Sequence, residues 1–183
     1  MKVAEFLVDG FEQIEALTPV DLLRRAKIEV DIVSVFGEKR VKSSHGVIVE
    51  TEKDLRDINF DDYDMIILPG GPGTDNYEKS DLFIEKLLKY SENKEKYIAA
   101  ICAAPSVLAR LGILAGKNAA CFPSVEDELI KGGAVLSRDK VVVDGTIITS
   151  RGAGTALDFS LKLIEVLKGI EEAEKISETI VYK

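Results

Sequence analysis

"YIAAICAAPSVLARLG", residues 97–112, decides the reading of this chain. "YIAAI" is a short apolar run with strand character, and "APSVLARLG" has helical spacing and a glycine stop at Gly112. Cys102 stands at the joint. Its neighbours two positions away on each side are Ala100 and Ala104. A nucleophile on a tight strand-to-helix elbow needs small residues at those places, because the turn presses backbone against side chain. Pro105 falls in the first helical turn, where its missing N–H costs nothing. A cysteine held there meets a helix N-terminus and free N–H groups, both of which favour a thiolate. The same alanine-rich surroundings also suit an inert core cysteine, and the local pattern leaves both readings open.

Working outward, strand and helix patterns alternate along the chain. "KVAEFLV" reads as a strand, "EQIEALTPVDLLRRA" as a helix and "IEVDIVSVF" as a strand. "RVKSSHGVIVE" is a hairpin around Gly46. "DMIILPGG" is a strand ending in a glycine loop, followed by a helix capped by Ser80. "NAACF" reads as a strand, "SVEDELIKGG" as a helix and "KVVVDGTIIT" as two strands about an Asp-Gly turn. Two helical segments, "GTALDFSLKLIEVLKG" and "IEEAEKISETI", complete the pattern. Such alternation predicts a three-layer α/β sandwich over residues 1–183, with a mostly parallel sheet covered by helices on both faces. Ligands of such sheets bind at the carboxyl ends of the strands. "LPGGPG" (68–73) and Cys102 both fall there, with Asp9, Glu12 and Glu15 just past the first strand. No Gly-Lys-Ser/Thr follows the glycine loop, and "SRGAGTALDF" (150–159) lacks the third glycine of a dinucleotide fingerprint.

Composition narrows the function. Of 183 residues, 46% are hydrophobic and 31% charged, and 24 basic against 32 acidic side chains give a net charge of −8. That argues against nucleic acid and anionic membrane as partners. No apolar run is long enough to span a bilayer, and "MKVAEFLVDG" lacks the features of a signal peptide, so a cytoplasmic location is expected. Cys102 and Cys121 are expected as free thiols. His45 is the sole histidine. The scarcity of ligands predicts no metal, and no cofactor signature is present.

Together "AAICAAPSVLA", "ILPGG", "EQIEALTPVDLLRRA" and "TSRGAGTALDF" resemble the ThiJ/PfpI superfamily, nearest to its branch of protein deglycases and their bacterial relatives. The resemblance implies a flavodoxin-like sandwich, a nucleophile elbow at Cys102 and a homodimer. It implies that Glu15 hydrogen-bonds the sulfur and that the backbone N–H groups of Gly71 and Ala103 hold an oxyanion. Gly70, Phe122 and His45 are implied as possible site lining. Two departures stand out. Where protease-like members carry a histidine directly after the cysteine, this chain has Ala103, and where the deglycase carries one it has Phe122.

The activity implied is that of a cysteine-dependent glyoxalase or deglycase acting on methylglyoxal, glyoxal or early glycation adducts. The alternative is a redox sensor or stress chaperone working through oxidation of Cys102. Peptidase or amidotransferase chemistry is weaker, because no histidine base stands beside the thiol. Three further expectations follow. Cys102 has strained backbone angles. Cys121 points away from the site. Glu15 carries a proton while Cys102 carries the charge.

Overall fold

The computed structural model describes residues 1–182. Its strands are β1 (Lys2–Leu7), β2 (Glu29–Ser34), β3 (Arg40–Lys42), β4 (Ile48–Glu50), β5 (Lys53–Asp54), β6 (Met65–Leu68), β7 (Tyr97–Ile101), β8 (Asn118–Ala119), β9 (Val135–Leu136), β10 (Val141–Asp144) and β11 (Ile147–Ser150). The helices are α1 (Gln13–Arg25), α2 (Asp81–Ser91), α3 (Ala104–Arg110), α4 (Glu126–Lys131), α5 (Ala156–Lys168) and α6 (Ile170–Thr179). Seven strands form one sheet in the order β10-β11-β7-β6-β1-β2-β5, and every pairing except β10 with β11 is parallel.

Central parallel strands are covered on both faces, so they read as continuous apolar runs. From Val3 to Leu7 every residue of β1 is buried. Alternate residues serve opposite layers. Ala4 and Phe6 pack with Phe83 and Leu87 of α2 and Val107 and Leu108 of α3. Val3 and Leu7 pack with Leu22 and Leu23 of α1 and Phe159 and Leu163 of α5. The result is the flavodoxin-like sandwich expected. Because the central strands run the same way, Leu7, Leu68 and Ile101 end at one edge, and their loops meet there.

Two details differ from the sequence reading. The stretch "NAACF" yields a strand only at Asn118–Ala119, paired with β9 in a small separate sheet. Its later N–H groups are taken elsewhere: Ala120 N donates to Thr149 Oγ1 at 2.9 Å and Phe122 N to the Cys102 carbonyl at 2.7 Å. The edge strand β5 was not legible, being two residues long. The β3–β4 hairpin, the Ser80 cap of α2 (its Oγ accepts from Phe83 N) and the β10–β11 hairpin, with Gly145 at φ +62°, match expectation.

Candidate active site

Cys102 follows directly on β7 and adopts φ +64°, in the left-handed region that a side chain disfavours. Holding a non-glycine residue there costs on the order of 1–3 kcal/mol, so the surroundings must fix it. They do so through the backbone. Cys102 N donates to the Ser150 carbonyl at 3.0 Å, and its carbonyl accepts from Phe122 N. The glycine loop closes over it so tightly that a Cβ on Gly70 would lie 2.7 Å from Cys102 Cβ and 2.8 Å from Ala103 N. Gly71, at φ +106°, is pressed against the backbone of Gly10–Glu12. The sulfur is half-buried, and the backbone N–H groups of Ala103 and Gly71 are close enough to favour charge on it.

Glu15 reaches the same place from α1. Glu12 is the N-cap of that helix, and its Oε2 accepts from Glu15 N at 2.9 Å. Glu12 N in turn donates to the Gly70 carbonyl at 2.9 Å, so one residue ties the helix start to the glycine loop. The Glu15 side chain is buried. Its Oε2 accepts from Gly70 N at 3.0 Å, and the Ala153 N–H is near enough to favour the charged carboxylate. Oε1 has no conventional partner, and the thiol of Cys102 interacts with this carboxyl.

Burial decides the protonation of the pair. It lifts Glu15 to about 7; the Glu12 charge adds to the rise, and contacts with Cys102, Gly70 and Ala153 oppose it. Cys102 is pushed up to about 12, first by burial and then by the Glu15 charge and hydrogen bond, against the pull of the Ala103 and Gly71 N–H groups. The elevated carboxyl agrees with the sequence reading. The standing thiolate does not: desolvation outweighs two N–H donors and a helix of seven residues. Burial thus raises both members of the pair, and the carboxyl raises the cost of ionising the thiol, whose hydrogen bond in turn favours the charged carboxylate.

The DJ-1/PfpI family profile matches residues 1–166. This chain belongs to the DJ-1/PfpI family. It is similar to protein dj-1beta of Drosophila melanogaster, 37% identical over 93% of this chain and 91% of that one. It is also similar to a protein of Caenorhabditis elegans named glutathione-independent glyoxalase DJR-1.2, 34% identical over 90% of this chain and 87% of that one. Among solved structures, Toxoplasma gondii DJ-1 in an oxidised state superposes with a TM-score of 0.91 at 36% identity, covering 98% of this chain and 97% of that one.

The remaining residues of this DJ-1/PfpI site separate into near and far. Phe122 stands beside it, its Cδ2 3.3 Å from where a Cβ on Gly152 would lie; Cys102 Sγ and Glu15 Oε1 are each 3.8 Å from that same point. His45 sits in the exposed β3–β4 hairpin, where its Nδ1 accepts from Gln13 Nε2 at 3.2 Å and lies 3.0 Å from Ser44 Oγ. Neither bond is to Cys102 or Glu15. Cys121 is wholly buried in the core, and burial pushes its thiol up to about 12. Phe122 beside it is exposed, and neither residue is in a strand, so the difference in burial does not come from strand alternation. Asp9 accepts from Lys42 N at 2.8 Å and so braces the hairpin. Sequence reading missed Ala153 as a donor to Glu15 and Gly152 as the gap beside the sulfur. Their only signal was the loop "SRGAG". It missed Glu5 too, a fully buried carboxyl on β1 with both oxygens unpartnered. Among the described residues no group of three or more His, Cys, Asp or Glu could hold a metal, and no helix is long and apolar enough to cross a membrane.

Proposed function

We propose that this protein converts small reactive dicarbonyls such as methylglyoxal and glyoxal, or their early adducts on amines and thiols, through Cys102. The observation that carries this reading is the position of Cys102 at φ +64° on the elbow, with the glycine loop and the Ala103 N–H closed over it and Glu15 Oε1 and the sulfur both 3.8 Å from one point beside Gly152. As the thiol gives its proton to Glu15, sulfur attacks the aldehyde carbon of R–CO–CHO and a C–S bond forms. The oxyanion so created meets the Gly71 and Ala103 N–H groups and is then protonated, giving a hemithioacetal. Glu15 removes the hydrogen of that carbon as a proton and delivers a proton to the neighbouring one. The hydroxyl proton on the first carbon's oxygen passes to the oxygen of the second, so the first carbon is oxidised to a thioester and the second reduced to an alcohol, with no outside oxidant. Water then hydrolyses the thioester, releasing a 2-hydroxy acid and the thiol. The nematode relative named as a glyoxalase supports this reading. We further propose that the protein acts in the cytoplasm as a homodimer. Ile14 and Leu17 of α1 are exposed and line a groove of about 770 Å³ together with Leu157 and Val181.

The test is lactate formation from methylglyoxal by the wild type, Cys102→Ser and Glu15→Gln. Turnover in the wild type with at least a hundredfold loss in both variants is expected, and no Cys102-dependent product refutes the reading. A second reading, redox sensing, is favoured by the same donors: sulfinate oxygens on Cys102 would accept from Gly71 and Ala103 N–H and from protonated Glu15. A gain of two oxygens at Cys102 under mild peroxide, with no dicarbonyl turnover, selects it. Amide hydrolysis has no support in the geometry, since His45 bonds only to Gln13 and Ser44.

A further inference from the structure

The strained backbone of Cys102 is held by two arms that come from different parts of the chain. Cys102 N donates at 3.0 Å to the carbonyl of Ser150, the last residue of β11. The Cys102 carbonyl accepts at 2.7 Å from Phe122 N, where the chain turns towards α4. A φ of +64° at a non-glycine residue persists only where its neighbours over-determine it, so both arms matter to the sulfur. Near their base the arms are tied to each other by Ala120 N, which donates to Thr149 Oγ1 at 2.9 Å. Beyond Cys102 they are tied again by one side-chain pair, Arg151 Nη2 donating to Glu126 Oε1 at 3.2 Å. Arg151 directly precedes Gly152 and Ala153, and the Ala153 N–H favours the charged form of Glu15. Glu126 is the first residue of α4.

This pair differs from an ordinary surface ion pair. The two side chains are only 21% and 15% exposed. Arg151 Nη1 is buried and has no partner, and among the described residues Glu126 is the one side chain that the guanidinium bonds. Without Glu126 a largely buried cation would be left uncompensated, and the loop could relieve it only by moving outward. Glu126 is not dependent in the same way, because Arg138 Nη2 holds its other oxygen at 2.9 Å. Arg138 first, and Arg151 with it, keep the Glu126 carboxyl below the usual carboxylate range against the opposing effect of desolvation. The pair is therefore fully charged where Glu15 titrates, at about 7.

We propose that Arg151 and Glu126 form a clamp that positions Cys102 and Glu15, fixing the two arms bonded to the Cys102 backbone and keeping the Ala153 N–H beside the Glu15 carboxyl. Neither residue touches the reacting atoms, so both are positioning residues. The clamp acts on the sulfur whatever the substrate, and it is tested on the thiol itself, so its failure and that of the dicarbonyl reading are separate results. Iodoacetamide labelling is followed by mass mapping from about pH 6 to 8.5 in the wild type, Arg151→Met, Glu126→Met, the double variant and Arg151→Lys. Displacing a reacting group by a fraction of an ångström costs about tenfold, and Arg151→Met should lower Cys102 labelling by that factor. Glu126→Met should lose more, because it strands the Arg151 cation, and the double variant should return to the Arg151→Met rate. Arg151→Lys should recover most of the rate, since one donor suffices for a single contact to Glu126. The midpoint of the labelling step should rise by about half a pH unit in Arg151→Met as the Ala153 hydrogen bond weakens. Glu5, Glu12 and Cys102, the other ionisable groups that act on or with Glu15, are unchanged in these variants, so a moved midpoint reports the loop. Fully buried Cys121 should stay unlabelled throughout, which separates local displacement from a loosened fold. Wild-type rates or an unmoved midpoint in Arg151→Met overturn the clamp. So do losses that multiply in the double variant, or Cys121 labelling that rises as Cys102 labelling falls.

Discussion

Replacing Glu15 by Gln tests the electrostatics at their centre. Gln keeps the size and the acceptor for Gly70 N but cannot ionise. In the folded protein the Glu15 carboxyl is raised from an ordinary 4.5 to about 7, chiefly by burial. A folded-state value above the unfolded one means that the folded state binds the proton more tightly. The stability this gives is complete below pH 4.5 and is lost as the pH rises through 7. At about 1.4 kcal/mol per unit, the loss across that window is roughly 3 kcal/mol. For a chain of this length that is about 6–12 °C in melting temperature. Denaturant titrations of wild type and Glu15→Gln at intervals from pH 4.5 to 8 give the quantity directly. Subtracting the two curves removes the other titrating groups, and the wild type should lose about 3 kcal/mol relative to the variant. Cys102 reactivity should move the opposite way. Iodoacetamide labelling of the wild type should climb through pH 7 as Glu15 becomes able to take the proton, and the variant should lack that step. Parallel stability curves, or a labelling step that survives in Glu15→Gln, would refute the assignment of the raised carboxyl to Glu15.

Three other outcomes follow from the packing. Glu5→Met should raise stability by about 2 kcal/mol, seen as a higher melting temperature, because an unpartnered buried carboxyl between Ile32 and Ile67 gives way to an apolar chain of similar size; a lower melting temperature would mean that Glu5 has a partner. Gly70→Ala should abolish rapid Cys102 labelling and cost about 1–3 kcal/mol, since the added carbon would meet the backbone of Ile101 and Ala103 at 2.8 Å. Mass-mapped alkylation of the native protein should label Cys102 and spare the fully buried Cys121, and equal labelling would show that the two thiols are not distinguished by burial.

Much of this protein was written in local pattern. The alternation of apolar runs and helical spacing determined a parallel sheet covered on both faces, because a strand buried on both sides can carry few polar residues. Ala100, Ala104 and Pro105 around Cys102 made the elbow legible, because small side chains fit that turn and a first-turn proline loses no hydrogen bond in it. What sequence could not carry was anything set by neighbours distant along the chain. Three carboxylates follow β1, and nothing in their order says that Asp9 braces a hairpin, Glu12 caps a helix and Glu15 meets the thiol; the distance from α1 to β7 across the sheet decides it. Glu5 reads as an ordinary polar break in a strand, yet β2, β6 and α1 enclose it completely. The burial that pushes the thiol up was hidden from the sequence for the same reason. A helix start and two N–H donors are visible in sequence, but the desolvation that outweighs them is supplied by the glycine loop, α1 and the loop at Gly152, three segments that only the folded chain brings around Cys102.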